Sequence, residues 1–262
     1  MGKITRALQK ATQESIDHVE KLVKIKECEQ IIVHKLKESK LDARLVAYFD
    51  PKAIISEQYK TMTTNILSLN KGKPPKTIAI TSSVATEGKT ISSLNLALSL
   101  SHATHKPHII LIDADMRKGQ MLNYLGSPAR KGLSEYLQGE ISLEEIIFRL
   151  DDIDNLSFIA AGAVPAKPVE LLASDRMKEL ITTLRAKFNF VLIDTPPVIP
   201  VTDAVVISSF VEGVILVIKA GQTQRGVVTR AIELLSQTHS TIIGHVLTGV
   251  EYFIPNYIYR YL

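Results

Sequence analysis

The chain has 262 residues, 45% of them hydrophobic and 22% charged, with a formal net charge of +4 and a pI near 9.0. That balance belongs to a globular protein, not a disordered one, and its interspersed basic residues form no block of the kind that nucleic-acid binding requires. One cysteine, Cys28, excludes an intrachain disulfide and argues against an iron–sulfur cluster.

No apolar run approaches the ~20 residues needed to span a bilayer. The opening Met1-Gly-Lys-Ile-Thr-Arg6 lacks an apolar signal region, and Arg6 stands where a myristoylation pattern expects Ser or Thr. Membrane association is therefore expected only through a partner, without direct insertion.

Residues 1–50 are rich in charge. Ile4, Leu8, Ala11, Val19, Leu22 and Val23 recur mostly at three- and four-residue steps, a helical stripe broken around Ser15. Leu41–Pro51 reads as an extended linker closing on Asp50-Pro51. Ile55, Tyr59, Met62, Ile66 and Leu69 keep a helical spacing that predicts an amphipathic helix ending near Gly72.

Beyond Pro74 short apolar runs alternate with helical segments. The runs are Thr77–Thr81, Ile109–Ile112, Leu156–Ala160, Phe190–Ile193, Val214–Ile218 and Ile242–Leu247. Without polar alternation they suit strands buried on both faces. The expected fold class is α/β, a mostly parallel twisted sheet with helices on both faces, plus an N-terminal helical extension. Three units are expected: an extension and linker over 1–50, a nucleotide-handling domain over 51–251, and a tail over 252–262.

The first run leads into Thr81-Ser-Ser-Val-Ala-Thr-Glu-Gly-Lys-Thr90, followed by a helical pattern over Ile91–Ala103. Strand, small-residue loop, Gly-Lys-Thr and helix form the setting of a P-loop. Backbone N–H groups of Ser83, Val84, Ala85, Thr86, Glu87, Gly88, Lys89, Thr90 and Ile91 would face nucleotide phosphates at a helix N-terminus. Lys89 would reach the β- and γ-phosphates of ATP, and the Thr90 hydroxyl would ligate Mg²⁺. The full pattern has glycine six residues before the lysine; here that position is Ser83.

Phe190–Asp194 is an apolar strand ending in a carboxylate, the Walker B layout, where Asp194 can hold Mg²⁺ or its water shell. Ile109–Asp113 is a second such strand, continued by Ala114-Asp115-Met116-Arg117. Asp113 and Asp115 lie two apart, and in extended chain they point the same way. Like charges so placed repel each other unless a cation or a shared proton intervenes. A bound Mg²⁺ at Asp113 resolves the conflict; alternatively, one of the pair accepts the proton of an attacking hydroxyl. The bland reading of both is a capping pair for the Lys118 segment.

The last eleven residues, Tyr252 to Leu262, carry four of the chain's eight tyrosines. Tyr257, Tyr259 and Tyr261 follow Pro255 at a terminus, where a mobile segment reaches a neighbouring site. Tyr252 follows a strand-like run and also suits an edge strand. All four are candidate phosphoacceptors.

These elements together resemble the bacterial tyrosine kinases of polysaccharide synthesis and export. The likeness runs from about Pro51 to Leu262 and rests on Glu87-Gly-Lys-Thr90, Asp113-Ala-Asp115-Met-Arg117, Asp194-Thr-Pro-Pro197, Gly162 with Pro168-Val-Glu-Leu-Leu172, and Asp203. The opening region is also similar to the exosortase-associated branch. The resemblance implies an ATP- and Mg²⁺-dependent kinase with Lys89, Asp113, Asp115 and Asp194 as catalytic residues and Thr90, Asp113 and Asp194 around the metal. It implies autophosphorylation of the tail in trans, and a membrane chain-length regulator as a separate partner chain. The protein would then be cytoplasmic, held at the inner membrane through that partner.

Three features depart from the family pattern. Ala85-Thr86 replaces Pro-Gly, and if the loop needs a positive φ there, Thr86 is costly. The ring-forming helix motif keeps Glu57, Thr64 and Asn65 but carries Lys60 and Thr63 in place of arginines, so a homo-oligomer is expected to be weak. The tail tyrosines are spaced, not consecutive. Two rival readings are a deviant-P-loop ATPase of the partition type, which would need a lysine where Val84 stands, and a nucleotide-binding regulatory partner without kinase activity.

Overall fold

Runs with an apolar residue at nearly every position bury both sets of side chains only inside a sheet covered on two faces. In the computed structural model, which describes residues 34–36 and 41–250, all six expected runs are strands; five are largely buried, and the sixth, Thr241–Thr248 at the end of the sheet, is only partly covered. In chain order the elements are β1 (His34–Leu36), α1 (Val46–Phe49), α2 (Ile54–Gly72), β2 (Thr77–Ser82) and α3 (Lys89–Ser101). There follow β3 (Ile109–Asp113), α4 (Met121–Tyr124), α5 (Leu133–Gln138), α6 (Leu143–Ile146), β4 (Ile147–Leu150) and β5 (Leu156–Ile159). The chain continues with α7 (Pro168–Leu172), α8 (Asp175–Lys187), β6 (Phe190–Asp194), α9 (Asp203–Ser208), β7 (Gly213–Lys219), α10 (Arg225–Ser236) and β8 (Thr241–Thr248).

The strands form one sheet in the order β1-β4-β5-β3-β6-β2-β7-β8. Every neighbouring pair is parallel except β4 with β5. Alternation within each strand divides the core. Ile78, Ile80, Ile109, Leu111, Leu192 and Ile215 pack under α3, through Leu94, Leu98 and Leu100 among others. Ala79, Ile110, Ile112, Val191, Ile193, Val214 and Leu216 face the opposite layer, with Leu180 and Leu184 of α8, Ile207 of α9 and Leu235 of α10.

This topology positions the chemistry. β3, β6 and β2 are adjacent and parallel, so their C-terminal ends share one edge. Asp113 pairs in register with Asp194, and Asp194 with Ile80. A crevice outside the carboxyl ends of the strands is where open α/β sheets hold ligands.

Two parts differ from the expectation. The stretch expected to be an extended linker contains α1, with Leu45 fully buried and Ala47 nearly so. Asn95 of α3 explains the fit: its carbonyl Oδ1 accepts from the Ala47 N–H at 3.0 Å, and its amide Nδ2 donates to the Arg44 carbonyl at 3.0 Å. β4 follows α6 without an intervening turn and runs antiparallel to β5, with Phe148 stacked on Phe158. The helical stripe over residues 4–23 and the tail tyrosines lie outside the described residues.

Candidate active site

The phosphate loop leaves the end of β2 and enters α3 at Lys89. It needs a backbone that turns back on itself within a few residues, and two odd positions on either side of Glu87 supply that turn. Thr86 has φ +65° and Gly88 has φ +89°. Glycine adopts this region freely, but threonine does so at a cost. The conditional expectation for Thr86 is therefore met: the position is left-handed, and its hydroxyl turns onto the Ala85 carbonyl at 2.6 Å. At the head of the loop Ser83 is fully buried, and its hydroxyl has no hydrogen-bond partner among the described residues. Ala85 and Thr86 are exposed, whereas Glu87 is buried.

Four predicted residues meet in one contact set. The Lys89 Nζ lies 3.0 Å from Asp115 Oδ2 and 3.9 Å from Asp194 Oδ2. Thr90 donates its hydroxyl to Asp194 Oδ2 at 2.6 Å. All three aspartates are 95% or more buried: Asp113 is 1% exposed, Asp115 5% and Asp194 1%.

Asp113 sits behind this set. Its Oδ1 accepts the Asp115 N–H at 3.1 Å and its Oδ2 accepts the Met121 N–H at 3.2 Å. Asp115 likewise accepts the Lys118 N–H through Oδ1 at 3.0 Å, keeping Oδ2 for the lysine. The pair thus caps its own turn and also belongs to the site. β3 ends at Asp113, and Asp115 opens the turn over 116–118 that follows, so the two carboxylates do not belong to one extended strand.

The electrostatics follow from burial. Loss of water, then the neighbouring Asp194 charge, push the Asp113 carboxyl up to about 7. Burial also raises Asp194, against the opposing pull of Lys89 and the Thr90 and Ser93 hydroxyls. Burial disfavours the Lys89 ammonium, but Asp194 and Asp115 more than offset it, so Lys89 is held charged.

Sequence reading missed three participants. Ser93, one turn into α3, has its hydroxyl 3.1 Å from Asp194 Oδ1 and 2.9 Å from the Lys89 carbonyl. Its spacing of four from Lys89 was the available signal. Thr223, in the loop between β7 and α10, and Thr248, at the end of β8, bond to Glu87, and no local pattern marks them. Ile91 lies apart from the carboxylates. It lines a groove of about 1050 Å³ between α2 and β8, with Tyr59, Gly88, Asn95, Ile243 and Val246.

A divalent cation fits this donor set. Two buried carboxylates, Asp115 and Asp194, face one lysine, and the Thr90 hydroxyl and Asp194 carboxylate converge as hard oxygen donors. Among the described residues no group of three His, Cys, Asp or Glu side chains forms a metal cluster.

Comparison with known proteins gives consistent results. Residues 75–243 match the AAA domain family. The chain is 32% identical over 217 residues to tyrosine-protein kinase YwqD of Bacillus subtilis, covering 83% of this chain and 90% of that one. It is 36% identical over 202 residues to tyrosine-protein kinase CpsD of Streptococcus agalactiae, covering 77% and 86%. The fold superposes on the kinase domain of the Escherichia coli tyrosine kinase ETK with a TM-score of 0.75, 28% identity and 86% of each chain covered.

Proposed function

Since the chain belongs to the bacterial tyrosine kinases, P-loop NTPases that transfer phosphate to protein tyrosine, we propose that it uses ATP and Mg²⁺ to phosphorylate the tyrosine cluster of its own tail in trans. The observation that supports this most is the single contact set of Lys89, Thr90, Asp115 and Asp194 at the carboxyl edge of three adjacent parallel strands. A partition-type ATPase is disfavoured by this family membership and by Val84 in place of a signature lysine.

In this reading the loop N–H groups from Ser83 to Ile91, except that of Val84, which Glu87 holds, and the N-terminus of α3 bind the phosphates. Lys89, kept charged by its carboxylate neighbours, places a cation where negative charge accumulates on the transferring group. Thr90 and Asp194 would hold Mg²⁺, which when bound neutralises phosphate oxygens. Asp113 fixes the turn that aims Asp115, through its bond to the Asp115 N–H. Asp115 takes the phenol proton as the tyrosine oxygen bonds to phosphorus and the bond to the departing diphosphate breaks. Ser93 restrains Asp194 from the helix side.

The acceptors are Tyr257, Tyr259 and Tyr261, with Tyr252. The expected partner is a membrane chain-length regulator of polysaccharide assembly, supplied as a separate chain that holds the kinase at the inner membrane. Among the described residues no helix is long and apolar enough to cross a membrane. Self-association is weak, since Lys60 pairs with Glu57 of its own helix and Thr63 turns inward to the Ser99 hydroxyl at 3.0 Å. The domain division is 1–50 for the extension, 51–251 for the kinase and 252–262 for the acceptor tail.

The test mixes full-length Lys89→Met protein with active protein cut after residue 251, adds ATP and Mg²⁺, and maps phosphotyrosine by mass spectrometry. Label on the tail of the Lys89→Met chain is the expected result. No label there, with wild type labelled normally, refutes transfer in trans. No label on wild type refutes autophosphorylation.

A further inference from the structure

Glu87 is the most connected residue of the phosphate loop. It is 2% exposed and sits between the two left-handed positions, Thr86 and Gly88. Its Oε2 accepts the Val84 N–H at 2.8 Å, closing the loop upon itself. Its Oε1 accepts the Lys219 N–H at 3.2 Å, where β7 ends, and also the Thr223 hydroxyl. Its main-chain carbonyl accepts the Thr248 hydroxyl at 2.6 Å, at the last residue of β8. The methyl group of Thr248 also covers Gly88, 3.4 Å from where a β-carbon would stand.

We propose that Glu87 is a positioning residue for phosphate transfer: its carboxylate holds the loop in the form that carries Thr86 left-handed and ties it to Lys219 and Thr223, while its main-chain carbonyl ties it to Thr248. The need for such a brace follows from Thr86. A β-branched residue in the left-handed region persists only where its surroundings over-determine the backbone. A carboxylate accepting from Val84 on one oxygen and from Lys219 and Thr223 on the other does so, because charge-assisted bonds are stronger than neutral ones. The Glu87 side chain binds no phosphate itself, since a carboxylate repels phosphate. It acts through the direction of the loop N–H groups. The brace also reaches the root of the tail, one residue before Gly249, so loop and tail root are fixed by the same residue.

The inference rests on the phosphate-site reading, and two measurements on the full chain separate them. The first is amide hydrogen exchange without nucleotide. Glu87→Gln replaces an acceptor oxygen by an NH₂ group and should raise exchange over both 84–88 and 219–223. Thr223→Val should do the same more weakly, and serves if Glu87→Gln does not fold. The second is ATP affinity by calorimetry with Mg²⁺. Glu87→Gln should weaken it about ten-fold, the scale of a lost charged hydrogen bond. Adding Thr86→Gly should recover most of that loss, because glycine needs no brace. Unchanged exchange in both variants overturns the brace. Weakened affinity that Thr86→Gly does not recover overturns the link to Thr86. If exchange rises but wild type binds no ATP, the brace is structural and the positioning role is wrong, along with the phosphate-site reading.

Discussion

Thr90 and Asp194 are joined by a hydrogen bond of 2.6 Å from Thr90 Oγ1 to Asp194 Oδ2, linking the first turn of the helix after the phosphate loop to the end of β6. The two residues are 104 apart in sequence, and the parallel pairing of β2 with β6 brings them together. Their coupling is testable because each should hold the same cation. Thr90→Val and Asp194→Asn should each lower Mg²⁺-dependent autophosphorylation by about ten-fold or more. The double variant should lose little beyond the worse single one, giving a coupling of roughly 1–3 kcal/mol in a double-mutant cycle. Additive losses would place the two residues in separate roles.

A pH dependence follows from Asp113. Its carboxyl, ordinarily at 3.8, is raised to about 7 in the folded chain, first by burial and next by Asp194. The folded protein then binds more protons than the unfolded one between these values. The stabilisation is complete below about pH 4 and is lost as pH rises through 7, with a slope of at most about 1.4 kcal/mol per pH unit for one proton. Asp194 is shifted in the same direction and adds to the trend. Urea denaturation in EDTA at pH 5, 6, 7 and 8 should therefore show falling stability for wild type. Asp113→Asn should show a flatter profile, and parallel profiles would remove Asp113 as a source.

Thr86 offers a stability test that needs no activity. At φ +65° a threonine is strained, while glycine is not. The Thr86 side chain is exposed, so its removal takes away only the hydroxyl contact to the Ala85 carbonyl. Glycine also gains more unfolded-state freedom, which offsets part of the relief. The net expectation for Thr86→Gly is a gain of about 0.5–1 kcal/mol in urea unfolding. A loss would mean that the loop has accommodated threonine without strain.

Much of this architecture was legible in local pattern. The strands at Thr77, Ile109, Phe190 and Gly213 read as unbroken apolar runs because both of their faces are covered. Lys89, Asp115 and Asp194 were legible because each sits at a strand or loop end of defined type. The antiparallel β4 was not, since Ile147 continues α6 with no turn residue to mark a boundary. The helical turn at Val46 was not, because Asn95 holds it at Ala47 from 48 residues away. Asp113 shows the finest limit: a spacing of two predicts parallel carboxylates in a strand, but the strand stops between them.

The last prediction concerns Arg117 and Asp203. Arg117 Nε meets Asp203 Oδ1 at 2.9 Å and its Nη2 meets Oδ2 at 3.3 Å, a forked pair. Their burial is unequal: Asp203 is fully buried and the Arg117 side chain is 36% exposed. Removing either partner therefore leaves different debris. Arg117→Ala strands a buried carboxylate whose other help is the N-terminus of α9, a helix of six residues. Asp203→Asn leaves an arginine that can turn to water and keeps an acceptor of the same shape. The expected order is a loss of about 3 kcal/mol for Arg117→Ala, the low end for a broken buried pair, and about 1 kcal/mol for Asp203→Asn. Arg117 also follows directly on the Asp115 turn, so Arg117→Ala should reduce autophosphorylation at a temperature where the variant is fully folded. Chemical denaturation of both variants, with activity measured under those folded conditions, decides it. Equal destabilisation, or full activity in Arg117→Ala, would show that the pair is a surface bridge that neither anchors α9 nor holds the Asp115 turn.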